Sequence, residues 1–351
     1  MSIRYLALGG GLLLSLALSI SSCKKNSSGA PHVNPIDPDS AAGGAVLYVT
    51  GSGIGDVTSI MFSTDSVPAP FNTNFNTNGA LIFRVPDTAL GGPQNIIFTN
   101  KAGQSFTTPF NVLAFPSVSS VSNYDYNPGD TITLTGNNLE AVSAVTILGT
   151  SSTLPVIAMS HHTVSVVMPN SSASRIRLSI TNSSGTDTIS QEFNAIANAY
   201  IIFANGNFGP NIQSGSWGPS GVSNAVELTH YPTFWSAYDK GDWSANGFAY
   251  WNPPYFTEDA SYTYFTFWMH GGLEDYTFYI TSSAAAGGSY GNADVSNPID
   301  LPPNVWTFFK IPLSQLKLSA TSANFQQLGW WVKGPNDQNE TIYWDDVMFV
   351  K

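Results

Sequence analysis

Apolar and polar residues alternate in short runs along most of this chain, and Gly, Pro, Asn and Ser break the runs about every ten residues. Alternation at period two marks a strand with one buried face. No segment beyond residue 40 keeps a helical period; residues 314–317 could make a single turn of helix. In the last 150 residues or so, strands are predicted at 200–204, 225–228, 262–270, 276–281, 306–313, 328–332 and 341–350. Between 229 and 255, Gly241, Gly247, Pro232, Pro253 and Pro254 argue against long regular strands.

The stretch from 41 to 196 repeats itself. Gly44-Ala45-Val46-Leu47-Tyr48-Val49-Thr50-Gly51 aligns with Gly129-Asp130-Thr131-Ile132-Thr133-Leu134-Thr135-Gly136 at an offset of 85 (129 − 44). In the same register Val57 to Phe62 aligns with Val142 to Ile147. Each copy then has a strand ending in proline (Val85-Pro86, Met168-Pro169) and a late Asn-x-x-Gly turn (Asn100 to Gly103, Asn182 to Gly185). Two small antiparallel sandwiches follow from that pattern. The second copy, with Pro128-Gly129, Thr135-Gly136-Asn137-Asn138-Leu139 and Met168-Pro169, resembles the immunoglobulin-like TIG (IPT) family. In the first copy Gly51-Ser52-Gly53-Ile54 replaces the Gly-x-Asn-Leu turn. The resemblance implies spacer modules. His161 and His162 are neighbours, so on a strand they would point to opposite faces and could not share a metal.

Composition separates the last domain from the rest. All nine tryptophans lie between Trp217 and Trp344. So many indoles exceed what a core of this size needs, and exposed flat rings bind flat apolar faces such as those of sugars. Parity along the strands sorts them. Phe265, Phe267 and Met269 form a core face, which turns Tyr264, Thr266, Trp268 and His270 outward. Leu328, Trp330 and Val332 leave Trp331 outside, and Trp306 and Trp344 are assigned to the core. The turn-rich segment adds Tyr231, Trp235, Trp243, Trp251 and Tyr255, with Asp239, Asp242, Asn246 and Asn252 available for hydroxyl hydrogen bonds. The expected carbohydrate platform is therefore Trp235, Trp243, Trp251, Trp268, Trp331, Tyr231 and Tyr255, with Asp242 and Asn252.

A net charge of −11 with only 10% charged residues excludes a nucleic-acid partner and disfavours an anionic polymer; a neutral glycan fits. At the other end, residues 1–22 read as an export signal with an apolar run at 6–20, short for a bilayer span. It ends in Ile20-Ser21-Ser22-Cys23, a match to the bacterial lipobox in which the cysteine is acylated. Cys23 is the only cysteine, so no internal disulfide can form. Residues 23–40 are a tether rich in Ser, Asn, Pro and Gly. The expected order is then an immunoglobulin-like sandwich at 41–115, a second at 116–197 and a jelly roll at 198–351, an all-β chain throughout.

Trp306-Thr307-Phe308-Phe309-Lys310-Ile311-Pro312-Leu313-Ser314, followed by Leu328 to Val332 and Trp344-Asp345-Asp346-Val347, resembles the closing pattern of jelly-roll carbohydrate-binding modules. With the lipobox and the repeats, the whole chain resembles the surface glycan-binding lipoproteins of Bacteroidota polysaccharide-utilisation systems. That resemblance implies a lipid anchor in the outer membrane at the cell surface and capture of a neutral, β-linked polysaccharide. It further implies delivery to an outer-membrane glycan transporter complex. No cofactor is required. For Asp345 the resemblance implies a structural Ca²⁺, with Glu227, Asn205 and loop carbonyls as partners.

Catalysis is not expected. Glu258-Asp259, Glu274-Asp275 and Asp345-Asp346 are sequence neighbours that would point apart on strands, so none makes a glycosidase acid–base pair. His230 and His270 are isolated, and no nucleophile triad is present. The competing expectation is an adhesin or assembly subunit whose aromatic surface binds a protein.

Overall fold

The three sandwiches follow from the alternating pattern. The computed structural model describes residues 30–239, 245–252, 256–257, 261–283, 297–318, 324–332 and 339–351. It divides into two compact units: residues up to 89 with 93–112, and residues 90–92 with 113–351. Among the described residues no helix is long and apolar enough to cross a membrane.

In the first unit a three-stranded sheet (His32–Val33, Val46–Ser52, Ala80–Arg84) faces a five-stranded one (Ser40–Ala42, Ser105–Leu113, Gly92–Asn100, Val57–Phe62, Val67–Pro68). Phe62, Phe83, Phe98 and Phe110 meet edge to face between them. The second sandwich repeats this pairing with the aligned segments. Val46–Ser52 pairs with Ala80–Arg84 as Thr131–Asn137 pairs with Thr163–Val167, and Val57–Phe62 pairs with Gly92–Asn100 as Ala144–Ile147 pairs with Arg175–Asn182. The repeated Thr-Gly has a steric cause. A Cβ on Gly51 would stand 2.1 Å from the His32 carbonyl oxygen, and one on Gly136 would stand 1.8 Å from that of Ser117. In both copies a neighbouring strand crosses where no side chain fits. Gly136→Ala should therefore cost about 1–3 kcal/mol in chemical denaturation. His161 and His162 lie in a bend, not a strand, and their rings meet at 4.5 Å. Each is engaged separately, His161 Nδ1 by Glu140 at 2.9 Å and His162 Nδ1 by the Gly136 carbonyl at 3.1 Å.

Among the described residues the third sandwich is framed by β1 Tyr200–Ala204, β2 Ser220–Ser223, β3 Thr233–Tyr238, β4 Ala245–Ala249, β5 Tyr264–His270, β6 Tyr276–Ser282, β7 Trp306–Pro312, β8 Gln327–Val332 and β9 Glu340–Val350, with shorter strands beside them. One sheet is built on β9, which pairs with β5 along one side and with β3 and β1 along the other; β7 extends it beyond β5 and β2 beyond β3. The other runs Gln213–Ser214, β4, β8, β6, Pro298–Leu301. Phe234, Phe248, Phe265, Phe267, Trp330 and Trp344 fill the core between them. The segment between 229 and 255 is more regular than its prolines and glycines suggest, since it holds β3 and β4. Residues 225–228, expected as a strand, form a loop. A short helix at Leu313–Leu316 ends at Lys317, which is left-handed with φ 48°.

A β-bulge in β9 corrects one parity assignment. Trp268 of β5 pairs with Asp345, but Thr266 pairs with Met348, so β9 carries one extra residue there, with Asp346 at φ 45°. Trp344 and Val347 both face the core. Asp345 therefore does not share the inward parity of Val347 and Phe349; it lies on the outer side with Trp268.

Candidate functional site

The structure distributes the expected platform over several surfaces. Trp243, Tyr255 and Asp242 lie outside the described residues. Trp268 does project from the outer face of β5, yet it is only 6% exposed because the second sandwich covers that face. Tyr124 stacks on Phe308 at 4.4 Å and on Trp268 at 5.8 Å, and the Trp268 Nε1–H donates to Asp125 Oδ2 at 3.2 Å. Trp268 is an interdomain residue and not a stacking platform.

Farther along this contact Glu192 of the second sandwich meets Lys310 of β7 and accepts from Arg175 at 3.0 Å. Both cations also lie over the Tyr264 ring, at 4.4 and 4.9 Å. The hydrogen bond from Lys310, together with the charges of Lys310 and Arg175, holds the Glu192 carboxyl below its usual range.

Trp331 is half-buried on the outer face of the other sheet, beside Tyr279 at 5.9 Å and across from Ala245. Trp251 (44% exposed) and Asn252 follow β4 in an exposed stretch. Tyr231 is half-buried against His230 and lines a polar cavity of about 500 Å³ with Asp125, Asn127, Asp130, Asn205 and Asp346. Asn246, read as available to a ligand, is buried: its side chain accepts from the Trp217 N–H at 3.0 Å and donates to the Ala237 carbonyl at 2.9 Å. That clamp fixes Trp217, the most exposed tryptophan described at 72%. Its setting among Gly215, Gly218 and Pro219 was the available sequence signal, since a tryptophan among strand breakers has no core to fill.

Trp235 belongs to a different group, which the sequence did not reveal. It pairs with Tyr343 of β9, Tyr343 pairs with His270 of β5, and His270 pairs with Trp306 of β7. Four rings thus stand at one level across four adjacent strands, a row of about 14 Å at ordinary strand spacing. All four are half-buried. His270 meets Trp306 at 5.4 Å and Tyr343 at 6.1 Å, edge to face in both cases. Trp306, assigned to the core from sequence, lies on the outer parity because Phe309 and Ile311 are the β7 residues packed on the core. Its Nε1–H donates to the Glu227 carbonyl at 3.2 Å. At the other end, Gly221 of β2 leaves room for the Trp235 indole, whose nitrogen would be 3.3 Å from any Cβ placed there. Val305, next to Trp306, and Leu273, three residues after His270, are 47% and 69% exposed. Burial lowers the His270 pKa, opposed by the Gly271 backbone.

Of the residues expected to hold calcium, Asn205 lines the polar cavity with Asp125, Asp130 and Asp346. Glu227 turns its side chain to solvent and uses its carbonyl on Trp306, while Asp345 is buried beside Trp268 and Asp125. Among the described residues no group of three or more His, Cys, Asp or Glu side chains is arranged to hold a metal ion.

Residues 116–195 match the family model of the IPT/TIG domain. Among solved structures, the surface glycan-binding protein PbSGBP-B from Prevotella bryantii superposes with a TM-score of 0.51 at 17% identity, over 92% of this chain and 99% of that one. SGBP-B from a complex xyloglucan utilization locus in Bacteroides uniformis gives 0.43 at 17% identity, over 92% of this chain and 100% of that one. No curated protein sequence matches significantly. Residues 116–195 are an IPT/TIG domain, and the chain as a whole shares the all-β fold of the Prevotella bryantii surface glycan-binding protein.

Proposed function

We propose that this chain is a non-catalytic glycan-binding lipoprotein, anchored through Cys23 at the outer membrane and displayed on the cell surface. It holds a neutral, β-linked polysaccharide on the jelly roll for uptake by an outer-membrane glycan transporter complex. The observation that carries this reading is the row Trp235–Tyr343–His270–Trp306. Aromatic rings at one level on a sheet suit the apolar faces of successive sugars, and each well-stacked ring adds about 0.5–1.5 kcal/mol beyond the area it buries, by analogy with aromatic pairs. Three or four such contacts with a few hydrogen bonds support binding near −8 kcal/mol, in the micromolar range. Many copies on one polymer then add avidity. The name of the Prevotella bryantii neighbour with this fold, a surface glycan-binding protein, supports the same class of ligand.

The exposed Leu273 and Val305, close in sequence to His270 and Trp306, favour a second reading, an adhesin whose partner is a protein. Affinity gel electrophoresis of the chain against xyloglucan, mixed-linkage glucan, mannan and β-1,3-glucan separates the two. Retardation by a neutral polysaccharide without release of reducing ends supports the glycan reading. Free migration of folded protein through every gel favours the adhesin, and new reducing ends would make the protein an enzyme.

A further inference from the structure

The two sandwiches of the repeat carry different side chains on one equivalent face. In the first, strands Val46–Ser52 and Ala80–Arg84 bury Leu47, Val49, Leu81 and Phe83, so period two turns Val46, Tyr48 and Ile82 away from the core. They are 54%, 59% and 40% exposed, and Tyr48 stands directly across from Ile82. Val46 stands across from Arg84, which is also exposed and whose guanidinium donates to the Gly44 carbonyl at 2.9 Å. In the second sandwich the matching strands place Thr131 across from Val167 and Thr133 across from Ser165, whose hydroxyls are 2.9 Å apart. Threonine thus stands where the first copy has Val46 and Tyr48, and serine where it has Ile82.

The second copy builds the same strand pairing with hydroxyl side chains at these three positions, so the sandwich stands without Val46, Tyr48 and Ile82. A cross-strand tyrosine–isoleucine contact adds only a little to such a sheet. Neighbouring apolar side chains left in water on one face mark a contact surface instead. The place where the chain enters the sheet says what meets that surface. His32–Val33, inside the stretch read as tether, already pairs with Ser52 and Gly51 at the margin of this same sheet. Cys23 is therefore nine residues (32 − 23) from the sheet, a reach of about 30 Å when extended. Tyr48 lies four residues (52 − 48) along the strand from Ser52, about 13 Å away.

We propose that the face formed by Val46, Tyr48 and Ile82, edged by Arg84, seats the first sandwich on the lipid surface in which Cys23 is anchored; this rests on the lipid-anchor reading above. The side chains suit the boundary between headgroups and acyl chains. Val46 and Ile82 offer aliphatic surface, Tyr48 an amphipathic ring of the kind concentrated at that depth, and Arg84 a cation on a long stem that reaches phosphate. The anchor supplies what so small a face lacks in affinity. A short tether holds the sandwich at an effective concentration of roughly millimolar order, so a contact too weak to recruit a free protein is populated once Cys23 is in the bilayer. The first sandwich then has a task beyond that of a spacer.

The test is hydroxyl-radical footprinting, read side chain by side chain by mass spectrometry. The processed chain, starting at Cys23, is coupled through that thiol, the only one in the sequence, to a maleimide lipid in phosphatidylcholine vesicles. The same chain blocked with N-ethylmaleimide is the free form. Oxidation of Val46, Tyr48 and Ile82 should fall severalfold on anchoring, while Trp217 of the jelly roll, 72% exposed, is oxidised equally in both. Tyr48→Thr/Ile82→Ser, which installs the residues of the second copy, should abolish the protection of Val46. Equal oxidation of the three residues in anchored and free wild type would overturn the proposal. Protection of the free chain that grows with its concentration would overturn it by placing a second copy on this face. Protection of the chain anchored in outer-membrane fragments but not in lipid vesicles would overturn it in favour of a protein partner. The mass of the Cys23 peptide from cell membranes tests the anchor separately: an unmodified Cys23 would remove the anchor and this proposal together, whereas an acylated Cys23 without a footprint would remove this proposal alone.

Discussion

Replacing Trp268 with alanine lowers the stability of the IPT/TIG–jelly-roll unit by about 3–5 kcal/mol, the range for deleting a large buried aromatic side chain. The ring is 6% exposed and packs against Tyr124 and Phe308 from the two domains. Its N–H is also one of two side-chain donors to Asp125, so the truncation leaves a buried carboxyl oxygen bare. Trp268→Phe isolates that second loss, retaining most of the ring while withdrawing the donor at about 1–3 kcal/mol. Urea unfolding of both variants at one pH measures the two contributions. If the alanine variant lost less than about 1 kcal/mol, the domains would not be joined through this ring.

Trp235→Ala should weaken glycan binding about thirtyfold, close to 2 kcal/mol, the scale at which truncating an anchoring tryptophan registers. Trp235 ends the row, over Gly221, and is only half-buried, so the fold should survive its loss. Trp235→Phe keeps a smaller flat ring and should retain part of the affinity. Retardation in polysaccharide gels ranks the three proteins, with circular dichroism confirming that each is folded. Equal retardation of wild type and alanine variant would remove Trp235 from the site.

Much of the fold was legible because its signals are local. The offset of 85 appears again in two strand pairs that recur in both copies, and the shared glycine reports a backbone crossing. The inward parity of Phe265, Phe267 and Met269, and the burial of Trp344, needed only period two. What failed depended on facts that no local pattern carries. Trp268 faces outward as its parity requires, but alternation cannot tell solvent from another domain. One extra residue at Asp346 reversed the side on which Asp345 emerges. The aromatic row takes one residue from each of four strands at positions 235, 270, 306 and 343, and only the register brings them level. Sequence clustering pointed to the segment between 229 and 255 instead, whose tryptophans 235 and 251 lie apart.

The account rests most heavily on which face of the jelly roll meets the glycan. Calorimetric titration of the full chain with the polysaccharide that retards it most decides this, with wild type, the double variant Trp235→Ala/Trp306→Ala, and Trp331→Ala side by side. The row predicts that the double variant gives no measurable heat while Trp331→Ala, altered on the opposite sheet, binds within about twofold of wild type. Loss of binding in Trp331→Ala with the double variant unaffected would contradict it and place the site on the other sheet.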